Sequence, residues 1–355
     1  MSRKFYMSVL ILLMSVTLIL SGCGTKKEPK EALQSAAATA MKMDSYVSES
    51  QIKLTDLTID TSSSPELGAV YSMLKDAEIN LTQMYQRDPM QTEASLEVKL
   101  TGDFSTTITL QFVMTKDKVF IKIPSIPFLP LPENVTGKFL EFDLKELAES
   151  NAESFNPDLL DTDKTQKLVA EIANVILAEY DSEKFIKDVD PKELTLPEGF
   201  KAKQVVQFYI TNDTFKDAIS ILIKEALPKA LDIVAKDEYR EMLQLTPQDI
   251  EDAKKELGEL NEDEFQKDLD EMQKVLKINE FTFNTAIDKD NYPSYQEMNM
   301  DVEFSDPDTQ EKLKLAMEMN SKFTSINEAP NFKIGIPQDA ITMEELEQEM
   351  NSFGY

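Results

Sequence analysis

The chain has no histidine, no tryptophan, one cysteine and nine glycines in 355 residues, and only 37 Lys plus Arg. Without histidine there is no Ser-His-Asp triad, no imidazole base and no His-ligated metal. A lone cysteine excludes an intrachain disulfide and a thiolate zinc site. No Gly-rich strand-to-helix turn occurs, so no phosphate-cradling loop is expected. The few cations face 65 Asp plus Glu, a net charge of −28. Phosphate binding needs clustered Lys and Arg, so no nucleic-acid partner is expected, and no cofactor either. What remains is an acidic chain whose 41% apolar residues suffice for a large core.

The N-terminus reads as a leader. Arg3 and Lys4 precede a mostly apolar run, Phe5 to Leu20, broken only by Ser8, Ser15 and Thr17. A membrane span needs about 20 apolar residues, so this run is short for one and fits a secretory signal. Leu20-Ser21-Gly22-Cys23 follows and resembles the bacterial lipobox. That resemblance implies cleavage before Cys23, a signal peptide at 1–22, and a diacylglyceryl thioether on the Cys23 sulfur. Two acyl chains anchor a protein stably where one does not. Residues 23–30 would be the lipidated cysteine and its polar tether, with Lys26, Lys27 and Lys30 beside anionic lipid. The expected location is the extracytoplasmic face of a cell membrane, with the membrane itself as partner. An uncleaved signal anchor is the alternative.

Beyond the tether, residues 31–43 are Ala-rich and predict a helix. Tyr46 opens a strand, and a short helix is expected near 66–75. Period-two alternation then marks a meander: Ile79 and Leu81; Leu96, Val98 and Leu100; Ile108, Leu110, Phe112 and Met114; Val119, Ile121 and Ile123. The middle is helical. Leu168, Val169, Ile172, Val175 and Ile176 follow a 3.6-residue period, and a helical insert is expected over about 212–276, interrupted at Pro228. Thr246-Pro247 predicts a capped helix start and Gly258 its end. Strands return with Phe281 and Phe283, with Met298, Met300, Val302 and Phe304, and with Leu313, Leu315, Met317 and Met319. Phe332, Ile334 and Ile336 predict a last strand, and Thr342 with Glu345 a capping box. The order helix, meander, helices, meander fits an α+β class in which one long antiparallel sheet packs against inserted helices. No Gly/Ser- or Pro-rich linker divides it, so residues 31–355 are expected to form one domain.

The pattern resembles lipoproteins of the LolA/LppX type. The resemblance rests on Cys23 with its Lys-rich tether and on the entry Ala40-Met41-Lys42-Met43-Asp44-Ser45-Tyr46. It rests also on the tail, Phe323 to Glu328 leading into Phe332 to Ala340, which is similar to that of Gram-positive lipoproteins of this fold. It implies a long curved antiparallel sheet, a half-barrel, with helices packed on its concave face. It also implies carriage of a lipid or a lipoprotein; a fold alone does not fix function.

Two groups of residues bear on function. Met298, Met300, Met317 and Met319, with Phe112 and Met114, would line a lipid-sized cavity if the helices stand off the sheet; otherwise they are ordinary core. Pro124 to Pro132 holds four prolines, and Ile126, Phe128, Leu129 and Leu131 would form either an apolar lip at a cavity mouth or a cover over the core edge. Asp161-Thr162-Asp163 starts like a calcium loop, but Gln166 and Ile172 stand where Gly and Glu are needed, and Asp288-Lys289-Asp290 reads as a turn. No carboxylate pair has an apolar setting that would suit glycoside hydrolysis. The expected function is non-catalytic binding of a lipid-like ligand. The alternative is a structural lipoprotein with a solid core that contacts an envelope protein.

Overall fold

The structure is a computed structural model and describes residues 26–59, 74–101, 105–125, 131–132, 134–150, 156–305 and 312–352. The expected helix near 66–75 and the Gly102-Asp103 turn fall almost wholly outside these residues.

The chain forms one open 11-stranded antiparallel sheet, curved like half a barrel and not closed on itself, with several helices: an α+β fold. The first meander is β1 (Ser45–Ile59), β2 (Glu78–Gln86), β3 (Gln91–Leu100), β4 (Thr106–Thr115), β5 (Lys118–Lys122) and β6 (Phe139–Asp143). The second set is β7 (Ile186–Val189), β8 (Gln204–Tyr209), β9 (Leu276–Ile287), β10 (Tyr295–Ser305) and β11 (Lys312–Thr324). Their order in the sheet is β6-β5-β4-β3-β2-β1-β11-β10-β9-β8-β7. The halves join where β1 pairs with β11, from Val47 opposite Thr324 to Ile59 opposite Leu313.

The two faces of the sheet differ sharply. Registered partners share a face, so one face can be followed from strand to strand. The concave face carries Met298 opposite both Phe283 and Met319, and Met300 opposite Phe281 and Met317. It continues through Ile52 and Ile79, Val98 and Ile108, and Leu96 and Leu110. The convex face carries charge of both signs, such as Lys53 and Lys99 on Glu78, and Lys314 on Asp56 and Asp301. One wet face and one apolar face is what alternation in an antiparallel meander produces. Single extra residues shift the β1/β11 register at Leu54/Asp56 and the β10/β9 register at Asp301/Val302. Such bulges bend a strand and increase its twist.

Ten helices are described: α1 (Pro29–Ala40), α2 (Leu144–Ser150), α3 (Thr162–Glu179), α4 (Ser182–Phe185), α5 (Phe215–Ile221), α6 (Leu227–Val234), α7 (Asp237–Met242), α8 (Pro247–Gly258), α9 (Glu262–Val275) and α10 (Met343–Ser352). Ala32 and Ala36 of α1 pack with Tyr180, Phe185, Val206, Ala218 and Ile287 over the β7–β9 end of the concave face. Helices α5 to α9 are inserted between β8 and β9, which are neighbours in the sheet. None of the described helices is long and apolar enough to cross a membrane.

Several local expectations hold. Asp161 caps α3, accepting from the N–H of Asp163 and Lys164. Thr246 and Asp249 form a capping box for α8, and Thr342 and Glu345 cap α10. Others change. Pro228 does not end the helical run, but the α ladder breaks just before it. Residues Leu222–Ala226 form a π turn between α5 and α6, with Pro228 in the turn that follows. Proline cannot donate to residue 224 and its ring crowds that carbonyl, and the wider turn relieves both. The short strands β6 and β7 carry too little alternation to be read from sequence.

The last strand is absent. Phe332 to Ile336 is irregular chain. The buried Glu93 carboxylate, on the convex face, accepts from three successive N–H groups, those of Lys333 (2.8 Å), Ile334 (2.9 Å) and Gly335 (2.6 Å). Donors committed to one carboxylate cannot serve a ladder. Gly335 has φ +71°, which suits a residue without Cβ. From there the chain reaches the free edge of β6, where Ile341 exchanges hydrogen bonds with Phe139 and Glu141. Val113 and Phe120, on the convex face between these anchor points, are buried.

Replacing Glu93 with Ala would leave three N–H groups unpaired. The expected cost is about 1–3 kcal/mol, since Lys333 is exposed and Ile334 and Gly335 half-buried, so water can reach part of the orphaned donors. Hydrogen exchange should speed up first at Lys333, Ile334 and Gly335. Unchanged protection at those amides would mean that Glu93 does not hold the strap.

Candidate functional site

Helices α1 and α3 lie antiparallel over the concave face and touch, leaving a cleft between them and the sheet. At one end Lys30 of α1 donates to the carbonyls of Ala178 (2.6 Å) and Tyr180 (2.9 Å), where α3 stops. The rings of Tyr180, Phe185 and Phe208 close that end, with centroids 5.1 Å apart for Tyr180 on either Phe. At the other end Arg87, in the turn after β2, acts as a clasp. Its Nε lies 3.3 Å from Asp44 and 3.4 Å from Asp163, and its Nη2 donates to Met43 (3.2 Å) and Met41 (3.4 Å). It thereby ties the chain leaving α1 to the first turn of α3. Tyr85 donates to the same Asp163 at 3.0 Å.

Between these fixed ends is a cavity of about 760 Å3. Its walls include small residues, Ala36, Ala37 and Ala40 on α1 and Ala170 and Ala173 on α3, beside the larger Leu33, Val169, Ile176 and Leu177. The alanines recur at helical spacings of three and four, so each helix turns a low ridge toward the other. The floor is Phe208, Phe281, Phe283, Met298 and Phe323. The cleft opens beside α3, where the lining residue Val169 is 60% exposed.

Among the described residues no charged side chain lines the cavity. Its phenols are held neutral. Burial raises Tyr46 and Tyr180, Gln166 partly offsetting the rise at Tyr46. Burial, reinforced by Asp163, lifts Tyr85 nearby well above the ordinary range. A large apolar cleft with a few polar atoms has the form of a small-molecule site, and its volume lies within the roughly 300–1,000 Å3 usual for one.

The apolar floor continues past the cavity. Met300, Met317 and Met319 extend it along β10 and β11 from Met298, all half-buried. Val302, Phe304, Leu315 and Leu313 follow. Among the described residues the floor is thinly covered: Ile79 is 36% exposed, Leu313 37% and Ile121 40%.

Of the residues singled out from sequence, Met298 therefore lines the cavity, and Met300, Met317 and Met319 share its face beyond it. Phe112 and Met114 lie on the same face in β4, four strands from β11 in the sheet order. At about 4.8 Å per strand that is roughly 19 Å away, so they belong to the open floor and not to the cavity. Leu131 is half-buried in the loop after β5 and does not line the cavity. Cys23, Ile126, Phe128 and Leu129 lie outside the described residues. The alanine ridges of α1 and α3, Phe208, Thr285 and Gln296 were not foreseen. The Ala spacings in two facing amphipathic helices were the available signal.

Among the described residues no three His, Cys, Asp or Glu are placed to hold a metal ion. Asp288 accepts from the N–H of Asp290 and Tyr292 and from the Ser294 hydroxyl, which makes it a turn residue.

The model of a family of unknown function (DUF6612) matches residues 234–345. That span takes in α7 to α9, β9 to β11 and the strap, so it includes the Met-rich floor but neither α1 nor α3. No curated protein matches the chain.

The cavity makes a prediction about packing. Ala37→Leu and Ala170→Leu should each fold with stability within about 0.5 kcal/mol of the parent, because the added methylenes enter open space. In a filled core the same change typically costs about 1–3 kcal/mol. Thermal melts of both variants measure this, and a loss on that scale in both would mean that the cleft is closed in solution.

Proposed function

We propose that this protein is a membrane-anchored, extracytoplasmic lipoprotein that binds a lipid-like molecule without catalysis. The observation that carries the reading is the 760 Å3 uncharged cleft opening onto an apolar sheet face. A contiguous apolar surface left partly in water costs about 25 cal/mol per Å2 relative to burial, and is kept where something covers it part of the time. An acyl ligand matches it in polarity and in elongated shape. The anchor is the diacylglyceryl thioether proposed for Cys23. Helix α1 begins at Pro29, six residues on, a reach of at most about 22 Å, so the domain would sit near the bilayer.

A second reading is supported by the exposure of Ile79, Ile121 and Leu313, well away from the cleft. Here the open floor would receive an envelope protein and the cleft would play no part.

Native mass spectrometry of the purified protein with extracted membrane lipids separates the two. Discrete lipid adducts are expected; ligand-free spectra with every extract would remove the carrier reading and leave the scaffold. Independently, Cys23→Ala should abolish processing of the leader and acylation of the chain. A Cys23→Ala protein of unchanged mature size and unchanged membrane fraction would contradict lipidation.

A further inference from the structure

A row of polar side chains crosses the mainly apolar concave face beneath the cleft. Thr285 of β9 stands opposite Gln296 of β10, Gln296 opposite Ser321 of β11, and Ser321 opposite Ser50 of β1. The next row along the strands is Phe283, Met298, Met319 and Ile52. Ser50 and Ser321 satisfy each other through a 2.7 Å hydroxyl–hydroxyl bond. Thr285 and Gln296 have no such partner. Both line the cavity, Thr285 is 3% exposed, and neither side chain makes a hydrogen bond among the described residues.

A hydroxyl offers one donor and two acceptor positions, and a primary amide two donors and an acceptor. Burying such groups unpaired is costly, and the great majority of buried polar groups have a partner. We infer that Thr285 and Gln296 form a hydrogen-bonding seat for a neutral polar group, a hydroxyl or ester, of an acyl ligand whose chain runs over Met298 toward Met300 and Met319. This rests on the lipid-binding reading above and specifies the ligand class. The neutral character follows from the lining. An anionic headgroup would find no cation there and a cationic one no carboxylate, and either would lose hydration on entry. Arg87, at the end of the cleft, is held between Asp44 and Asp163.

The test uses three probes of equal chain length: 1-monopalmitoylglycerol, palmitate at pH 8 and hexadecane, each in radiolabelled equilibrium binding. The parent protein should bind monopalmitoylglycerol at least about tenfold more tightly than palmitate. Thr285→Val with Gln296→Leu should weaken monopalmitoylglycerol about 10- to 100-fold, the effect of losing two hydrogen bonds, and leave hexadecane within about threefold. Thr285→Ser, which keeps the hydroxyl, should retain most of the affinity. The ligand-free Thr285→Val protein should melt no lower than the parent, since the hydroxyl facing the cavity has no hydrogen bond to lose. A lower melting temperature would reveal an internal partner and overturn the seat. So would equal weakening of hexadecane and monopalmitoylglycerol, or no weakening of either. Palmitate bound as tightly as monopalmitoylglycerol would remove the neutral class while keeping lipid binding. If the parent binds none of the three, the lipid-binding reading itself falls, and the seat with it.

Discussion

The ladder between β1 and β11 is the interaction on which the rest of the structure depends. It joins the first strand of the chain to the last, and it places Tyr46 beside Phe323, their ring centroids 5.5 Å apart. Without it each meander would be a separate sheet, with its own free edge beside β1 or β11. With it, the apolar sides of both meanders become one concave surface. The bulge at Leu54/Asp56 lies within this ladder, so the seam also contributes to the curvature.

A surface of that width cannot be closed by the helices available. Helix α1 and the inserted helices concentrate at the β7–β9 end, where Phe185, Val206, Ala218 and Ile287 are almost fully buried. Over β1 to β5 the alternate residues Ile52, Leu81, Leu96 and Leu110 are only half-buried. The cavity lies at the boundary between these regimes. There α1 and α3 are pinned at their ends by Lys30 and Arg87, and the short alanine side chains between those ends leave space above the sheet. The cleft is therefore a consequence of fixed ends and small residues, and its volume is set by the alanines more than by the floor.

This explains what was legible in the sequence. Alternation such as Met298, Met300, Val302 and Phe304 gave strand and face together, because side-chain direction is locked to parity. Caps at Asp161, Thr246 and Thr342 were readable because each pairs groups two or three residues apart. The pairing of β1 with β11 was not, because nothing local in either strand names its partner. The Phe332, Ile334 and Ile336 alternation misled for a related reason. A strap lying on a surface needs the same period as a strand, and what distinguishes them here is a carboxylate some 240 residues away, Glu93. Phe112 and Met114 were placed on the correct face but not in the cavity, since parity carries no information about how many strands intervene. The cavity walls escaped notice because alanine contributes by what it leaves empty.

Charge sorts onto the faces in a way that bears on what can enter. The chain carries −28, yet among the described residues no charged side chain lines the cleft, and burial raises the pKa of Tyr46 and Tyr180 there. The acids are on the convex face and the inserted helices, many paired with lysine, as at Lys236–Glu171 and Lys254–Asp232. Such exposed pairs contribute little to stability, typically under about 1 kcal/mol each. Their excess of negative charge instead sets a field that opposes the approach of anions from outside. Inside the cleft no side chain carries charge to reverse that field. An apolar floor, a neutral interior and an acidic exterior act in the same direction: each favours an uncharged, elongated molecule over an ionised one. The polar groups on the described part of the cavity floor, Thr285 beside Gln296 and the Tyr46 hydroxyl, are themselves uncharged.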